Sequence, residues 1–453
     1  MLGLCIAIVV TLWVGVLVFK NYKAQAILFL GGIILMAAAL LLGTGPIIAA
    51  KQSTGFAWFD IFEFMRRTFS SRAAGLGLMI MSVAGFAKYM DHIGASKVLV
   101  YLSAKPLSKL RAPYVVLALT YVLGQFLALF IPSASGLGVL LMVTMYPVLI
   151  GLGVSRLSAV AVIGTTQCLD IGPASGNSVL SATNANMDIA TYFVDYQIPI
   201  GLCIVAAIAV LHYLTQKYFD RKIGHQAETV DIANSDAMQN LPPKIYALLP
   251  VIPLVLILIF SKLGVKTIKM DVVTAMLICT LLAMLFEYIR SRDAKKVFSS
   301  LQIFFDGMGV QFATVITLIV AGETFANGLK AIGAIETIIS GAQGAGFGGE
   351  LMILVMTAVI AVSAIVMGSG NAPFFAFAAL APTVADKMGL QAVAMLLPMQ
   401  FASSIARSVS PITAVIVAVS GLANVSPFDV VKRTAIPMAG AMLMNIVASL
   451  IFI

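Results

Sequence analysis

Three ionisable residues, Asp170, Glu323 and Arg407, stand deep within long apolar runs of this 453-residue chain. In hydrocarbon an arginine near a helix centre costs about 2.5 to 3.5 kcal/mol to insert, so Arg407 needs a partner. Two partners suit a guanidinium: a ligand carboxylate held in a bidentate fork, or a permanent pair with Asp170. Asp170 and Glu323 are the groups that could carry a proton or hold a coupling cation. Glu323, in Ala321-Gly322-Glu323-Thr324, stands apart from the other polar stretches and suits a packing role equally well.

Four short stretches of small and polar residues interrupt the apolar runs: Ser133-Ala134-Ser135-Gly136, Gly172-Pro173-Ala174-Ser175-Gly176-Asn177-Ser178, Gly368-Ser369-Gly370-Asn371 and Ser408-Val409-Ser410-Pro411-Ile412-Thr413. Proline removes a backbone donor and glycine relaxes the chain, so helix propagation should fail at such places. Amides freed at a helix N-terminus carry partial positive charge and suit a carboxylate, while freed carbonyls suit a cation. The bland reading of any one stretch is a kink whose hydroxyls bond their own backbone. Four in symmetric positions favour a site, with Ser133, Ser135, Gly136, Ser175, Gly176, Asn177, Ser369, Gly370, Asn371, Arg407, Ser410 and Thr413 as its substrate-binding residues.

Other chemistry is absent from the pattern. His92, His212 and His225 are scattered singly, which argues against a metal site, and no Ser/His/Asp or Cys/His set suggests an enzyme. Cys5, Cys168, Cys203 and Cys279 lie singly in apolar stretches and are expected to be small buried hydrophobes. The glycine-rich residues 341–349 lack a Gly-Lys-Ser/Thr continuation and read as a flexible lead into the second hairpin, not a phosphate cradle. No cofactor is expected.

The elements that must position these residues are membrane helices. Hydrophobic residues make up 60% of the chain and charged residues 10%, against roughly 45 to 50% and about 25% in soluble domains. A water-soluble surface cannot be built from that composition, and the net charge of +9 falls in short basic clusters between apolar runs. It therefore reports topology and not a nucleic-acid surface. At about 20 apolar residues per span, the sequence predicts helices over 2–19, 24–42, 73–90, 196–214, 245–262, 271–289, 307–328 and 434–453. The first is read as a retained helix, since it has no basic n-region and a second apolar run follows. Residues 156–182 and 390–423 read as long broken spans, and 112–154 and 351–388 as re-entrant hairpins. Residues 56–69, aromatic and charged, read as an interfacial amphipathic helix. The total is about ten spans. The lipid bilayer is the surrounding partner, and the positive-inside rule puts both termini outside.

The two halves resemble each other at an offset of roughly 235 to 239 residues. Ile93-Gly94-Ala95 pairs with Ile332-Gly333-Ala334, Pro147 with Pro382, Ser175 with Ser410, and Ile198-Pro199 with Ile436-Pro437. Five spans per half is odd, so the second half is inverted relative to the first. The fold class is an all-α polytopic membrane protein built on an inverted repeat, each half with about five spans and one hairpin. Residues 1–111 and 245–349 then supply supporting helices, 112–214 and 350–453 the hairpins and broken helices, and 215–244 a polar linker.

Four segments resemble a known family: Ser135-Gly136-Leu137-Gly138-Val139-Leu140-Leu141-Met142, Gly368-Ser369-Gly370-Asn371-Ala372-Pro373-Phe374, Arg407 with Ser410-Pro411, and Ser426-Pro427-Phe428-Asp429-Val430-Val431-Lys432-Arg433-Thr434. The chain is similar, nearly end to end, to the DcuC family of anaerobic C4-dicarboxylate carriers in the ion transporter superfamily. The resemblance implies a homodimer with a fixed scaffold and an elevator-like transport domain. It also implies succinate efflux or fumarate/succinate exchange in an anaerobically growing bacterium, with the outside face, and so both termini, in the periplasm of a bacterial inner membrane. Arg407 would hold one carboxylate of the small dicarboxylate. Sodium-coupled relatives carry Ser-Asn-Thr at both hairpin tips, unlike the tips here, so H+, Na+ or plain antiport stay open. A carrier of the same architecture for another solute, such as an amino acid or peptide-like anion, is the alternative reading.

Overall fold

A chain in hydrocarbon can satisfy its backbone only by internal hydrogen bonds, so apolar runs of this kind become helices. The computed structural model describes residues 2–20, 22–225, 241–261, 264–265, 267–268, 270–344 and 348–453, and among them every regular element is helical. Leu2–Phe19 (α1) and Ala24–Leu42 (α2) match the expected spans residue for residue. Ala57–Arg72 (α3) and Leu78–His92 (α4) were expected as an interfacial helix and a separate span. They are instead one 36-residue helix, joined through a widened π-turn at Ala73–Gly77. Nothing in Arg72-Ala73-Ala74 breaks a helix, so charge alone does not end it.

Ala95–Ala104 (α5) leads to Pro113–Leu127 (α6), where the first interruption falls over 128–133 before Ala134–Thr144 (α7) and Tyr146–Gly151 (α8). Arg156–Thr165 (α9) stops, residues 166–175 run without helix, and Gly176–Asn184 (α10) resumes. After Ile189–Thr191 (α11), Ile198–Lys222 (α12) carries eight residues past the end expected at Leu214, burying Thr215, Gln216 and Asp220. Residues 226–240 of the predicted linker lie outside the described residues. The span expected over 245–262 is only the eight-residue Ile252–Ile259 (α13), preceded by a tight turn at Lys244–Leu248. Pro242, Pro243, Pro250 and Pro253 explain this, since each withholds a donor and disfavours helix at the residue before it.

In the second half, Val272–Ser291 (α14) precedes Ala294–Gln311 (α15) and Thr317–Ala331 (α16), which form one 38-residue helix through a π-turn at Phe312–Ile316. Ala334–Gly344 (α17) follows, and residues 345–347 of the glycine-rich stretch lie outside the described residues. Gly349–Met367 (α18) and Asn371–Phe377 (α19) flank the break at 368–370, followed by Ala381–Lys387 (α20). Ala392–Arg407 (α21) stops at the second broken span, and Ala414–Ala423 (α22) and Pro427–Phe452 (α23) complete the chain. Both Gly94 and Gly333 turn the chain with positive φ, at 79° and 76°.

Among the described residues seven helices are long and apolar enough to cross a membrane, and five more apolar helices are shorter. The protein is a multi-pass membrane protein. Three cores organise it. One joins α5 to α9 with α12 and α21 to α23. A second joins α1 and α2 with α16 and α18 to α20. The third joins α4 with α13 to α15. At the crossing of α4 and α15, Gly85 and Gly307 face each other so closely that a Cβ on Gly307 would lie 2.8 Å from the Gly85 Cα. Small residues at such a crossing let backbones approach, the usual basis of packing in membranes. Cys168 and Cys279 are buried as expected, Cys203 is half-buried, and Cys5 lies exposed on α1.

Candidate substrate-binding site

The interruptions in the helices converge on one cavity of about 450 Å³. Ser133 and Ala134 bring the start of α7 to it, Ser175, Gly176 and Asn177 the start of α10, Asn371 the start of α19, and Arg407 the end of α21. Helix N-termini bordering one space add positive potential, and the full charges at its lining are the cations Arg407 and Lys88 and the carboxylates Asp170 and Asp91. The Arg407 end of the cavity suits an anion.

Each break is stable because its backbone groups find partners. Around 166–175 three glutamines do this, and sequence reasoning did not single them out. Gln125 Nε2 donates to the Leu169 carbonyl at 2.8 Å while its Oε1 accepts the Leu169 N–H at 3.2 Å. The Gly172 N–H donates to Gln197 Oε1 at 3.0 Å. Gln400 Nε2 donates to the Asp170 carbonyl at 2.6 Å, and its Oε1 accepts from Tyr192 Oη at 2.7 Å. All three are buried. A buried glutamine inside an apolar run is the signal that marks such a brace, because it must be bonded to something.

Several predicted ligands serve the backbone locally. Ser133 and Ser175 cap their helices, their Oγ atoms accepting the Gly136 and Ser178 N–H groups at 3.2 and 3.3 Å. Ser369 Oγ accepts the Ala372 N–H at 3.4 Å, and Thr413 Oγ1 donates to the Arg407 carbonyl at 2.6 Å. Gly370 lets α21 pass, since a Cβ there would meet the Ser403 carbonyl oxygen at 2.5 Å. Of the predicted set, Ser133, Ser175, Gly176, Asn177, Asn371 and Arg407 line the cavity. Ser135, Gly136, Ser369, Gly370, Ser410 and Thr413 are not among its lining residues.

The two halves meet at an amide contact: Asn177 Nδ2 donates to Asn371 Oδ1 at 3.2 Å and to Asp170 Oδ2 at 2.8 Å. Asn177 Oδ1 is buried with no hydrogen-bond partner. Arg407 does not pair with Asp170, the permanent pair that the sequence left open. Its Nη2 donates to the Gln167 carbonyl at 2.9 Å, and no carboxylate forms an ion pair with it among the described residues. Asp170 lines the same cavity. Glu323 does not; its Oε1 pairs with Arg72 Nε at 2.6 Å, between α16 and the α3 end.

A further charged cluster escaped the sequence reading. Arg433, expected among the loop charges, is buried in α23 and pairs with buried Asp220 at 2.7 Å. Asp220 also accepts from Ser155 Oγ at 2.6 Å and Ser158 Oγ at 2.8 Å. Beyond it Gln216, His212 and Thr165 continue a buried polar chain. Among the described residues no three His, Cys, Asp or Glu gather as metal ligands.

A second hollow, of about 660 Å³, lies between the start of α14 and the α10–α11 turn. It is larger but chemically unsuited to an anion. Its charged lining residues are Asp188 and Asp271, each already capping a helix.

Comparison with known proteins decides the family. The family described as C4-dicarboxylate anaerobic carrier, DcuC, matches residues 2–453. The chain belongs to the DcuC family. It is 36% identical over 446 residues to the anaerobic C4-dicarboxylate transporter DcuC of Escherichia coli K12, covering 98% of this chain and 96% of that one. It is also 36% identical over 454 residues to the probable anaerobic C4-dicarboxylate transporter DcuC of Vibrio cholerae, covering 100% and 98%. Two solved structures share its fold: the Alcanivorax borkumensis YdaH transporter, with a TM-score of 0.67 at 15% identity over 94% of this chain and 98% of that one, and Neisseria gonorrhoeae MtrF, with a TM-score of 0.65 at 14% identity over 94% and 95%. As a DcuC family member the protein is a membrane transporter and not an enzyme.

Proposed function

We propose that the protein carries C4-dicarboxylates such as succinate and fumarate across the bacterial inner membrane, in the direction of succinate efflux or fumarate/succinate exchange. The observation that carries this reading is Arg407, a guanidinium bordering the cavity with one backbone acceptor and no carboxylate. Such a group in a half-buried site is compensated when a substrate carboxylate arrives. The starts of α7 and α10 and the amides of Asn177 and Asn371 complete the proposed anion-binding face, and Asp170, lining the same cavity, is the candidate to carry a coupling proton or cation. The names of the relatives support a four-carbon diacid as the substrate class.

The inverted repeat is the proposed basis of alternating access. Matching π-turns at Ala73–Gly77 and Phe312–Ile316, 239 residues apart, and matching glycine turns at Gly94 and Gly333 support it. In the proposed elevator the hairpins and broken helices move against the supporting helices within a homodimer. With the termini in the periplasm, the cavity reaches toward the cytoplasmic end of α4. The test is reconstitution into liposomes loaded with succinate and uptake of labelled fumarate, with and without sodium and proton gradients. Rapid uptake that requires internal succinate is expected; no uptake of any C4-dicarboxylate by folded protein under any gradient overturns the reading.

A further inference from the structure

A dicarboxylate has two charged ends, and the helix breaks offer a full cation to only one of them. The cavity that Arg407 borders is also lined by α4 and α15, and Lys88 of α4 is among its lining residues. Lys88 is exposed. Among the described residues it forms no ion pair, although Asp91 lies three residues further along the same helix and borders the same cavity. The remaining polar group on that side is Gln311, the last residue of α15. An ammonium on a flexible four-carbon stem, lining the same cavity as a guanidinium that no carboxylate pairs, supplies the second cation that a dianion needs.

We propose that Lys88 binds the second carboxylate of the substrate and so selects dicarboxylates over monocarboxylates of the same size. This rests on the proposed substrate class and adds to it a residue outside the hairpins and broken helices. The division of labour follows from chemistry. Arg407, half-buried and planar, fixes one carboxylate in a fork. Lys88, hydrated and flexible, takes the other end wherever it falls and so tolerates different diacid geometries.

The test is binding of labelled fumarate to the purified full chain, with competition by monomethyl fumarate, which keeps one carboxylate and the carbon skeleton. Lys88→Gln is expected to weaken fumarate about tenfold, the worth of one charge-assisted contact in a wet site, and to leave the monoester constant unchanged. The unchanged constant reports that the variant is folded. Lys88→Arg should restore most of the difference. Fumarate binding unaffected by Lys88→Gln, an equal loss for both ligands, or no rescue by Lys88→Arg overturns the assignment of Lys88 and leaves the substrate class standing. Wild-type protein that binds no C4-dicarboxylate overturns the substrate class and this inference with it.

Discussion

Two arginines in this protein stand near the termini of apolar helices, Arg407 at the end of α21 and Arg433 near the start of α23, yet they live in opposite chemical states. Arg433 is 4% exposed and charge-paired: its Nη1 donates to Asp220 at 2.7 Å and Ser158 at 3.0 Å, and the Phe219 ring lies beneath the guanidinium. Arg407 is half-buried, with the Gln167 carbonyl its one recorded acceptor and a cavity before it. A charge that is permanently matched builds structure, and a charge left partly unmatched next to a cavity is open to a ligand. The buried pair joins α12, α9 and α23 into the first core; the open one faces the meeting point of both halves.

That comparison can be broken or sharpened by substitution. The largest stability effect is expected at the closed site. Asp220→Ala strands a buried guanidinium at a cost of about 3 to 5 kcal/mol, to be read as loss of monodisperse protein on extraction and a lower unfolding temperature. At the open site the result inverts. Arg407→Gln should leave folded yield near that of the parent while fumarate uptake in liposomes falls by about 100-fold, the upper range for hydrogen bonds to a charged group. Unchanged uptake would remove Arg407 from the site.

Smaller effects test the frame around Arg407. Gln400→Leu frees the Asp170 carbonyl and the Tyr192 hydroxyl, costing about 1 to 3 kcal/mol, with a fall in both unfolding temperature and transport. Gly370→Ala pushes α19 off α21 at a similar or lower cost of about 1 to 3 kcal/mol; the signature is loss of transport without loss of expression. Least affected should be the coupling of Glu323→Gln, which removes the charge that Arg72 pairs with at 2.6 Å between α3 and α16. Its proton or sodium dependence of uptake should match the parent, whereas Asp170→Asn should alter it; a lost gradient response in Glu323→Gln would move the coupling role to α16.

Much of this was legible from residue type and spacing. Runs of about 20 apolar residues gave α1 and α2 to the residue, and Pro173 with its neighbouring glycines and Ser410-Pro411 marked the breaks between α9 and α10 and between α21 and α22. These are local effects: a missing donor or a relaxed backbone ends a helix wherever it stands. The reading failed where local signals were weak or overridden. Charge in Arg66-Arg67 and Arg72 suggested an end to the helix that the backbone did not need, and four prolines shortened α13 below the length its hydropathy implied.

The sequence by itself determined that this chain lives in a bilayer, where its helices break, and that Arg407 stands beside one of those breaks, because hydropathy and backbone chemistry act over a few residues. Tertiary structure alone decided which charges are closed and which are open. Asp220 and Arg433 are 213 residues apart, and Asn177 and Asn371 are 194 apart. No spacing rule links them. Whether a buried charge is a strut or a binding group depends on what folding brings within hydrogen-bond reach, and that is fixed only when all the helices are packed.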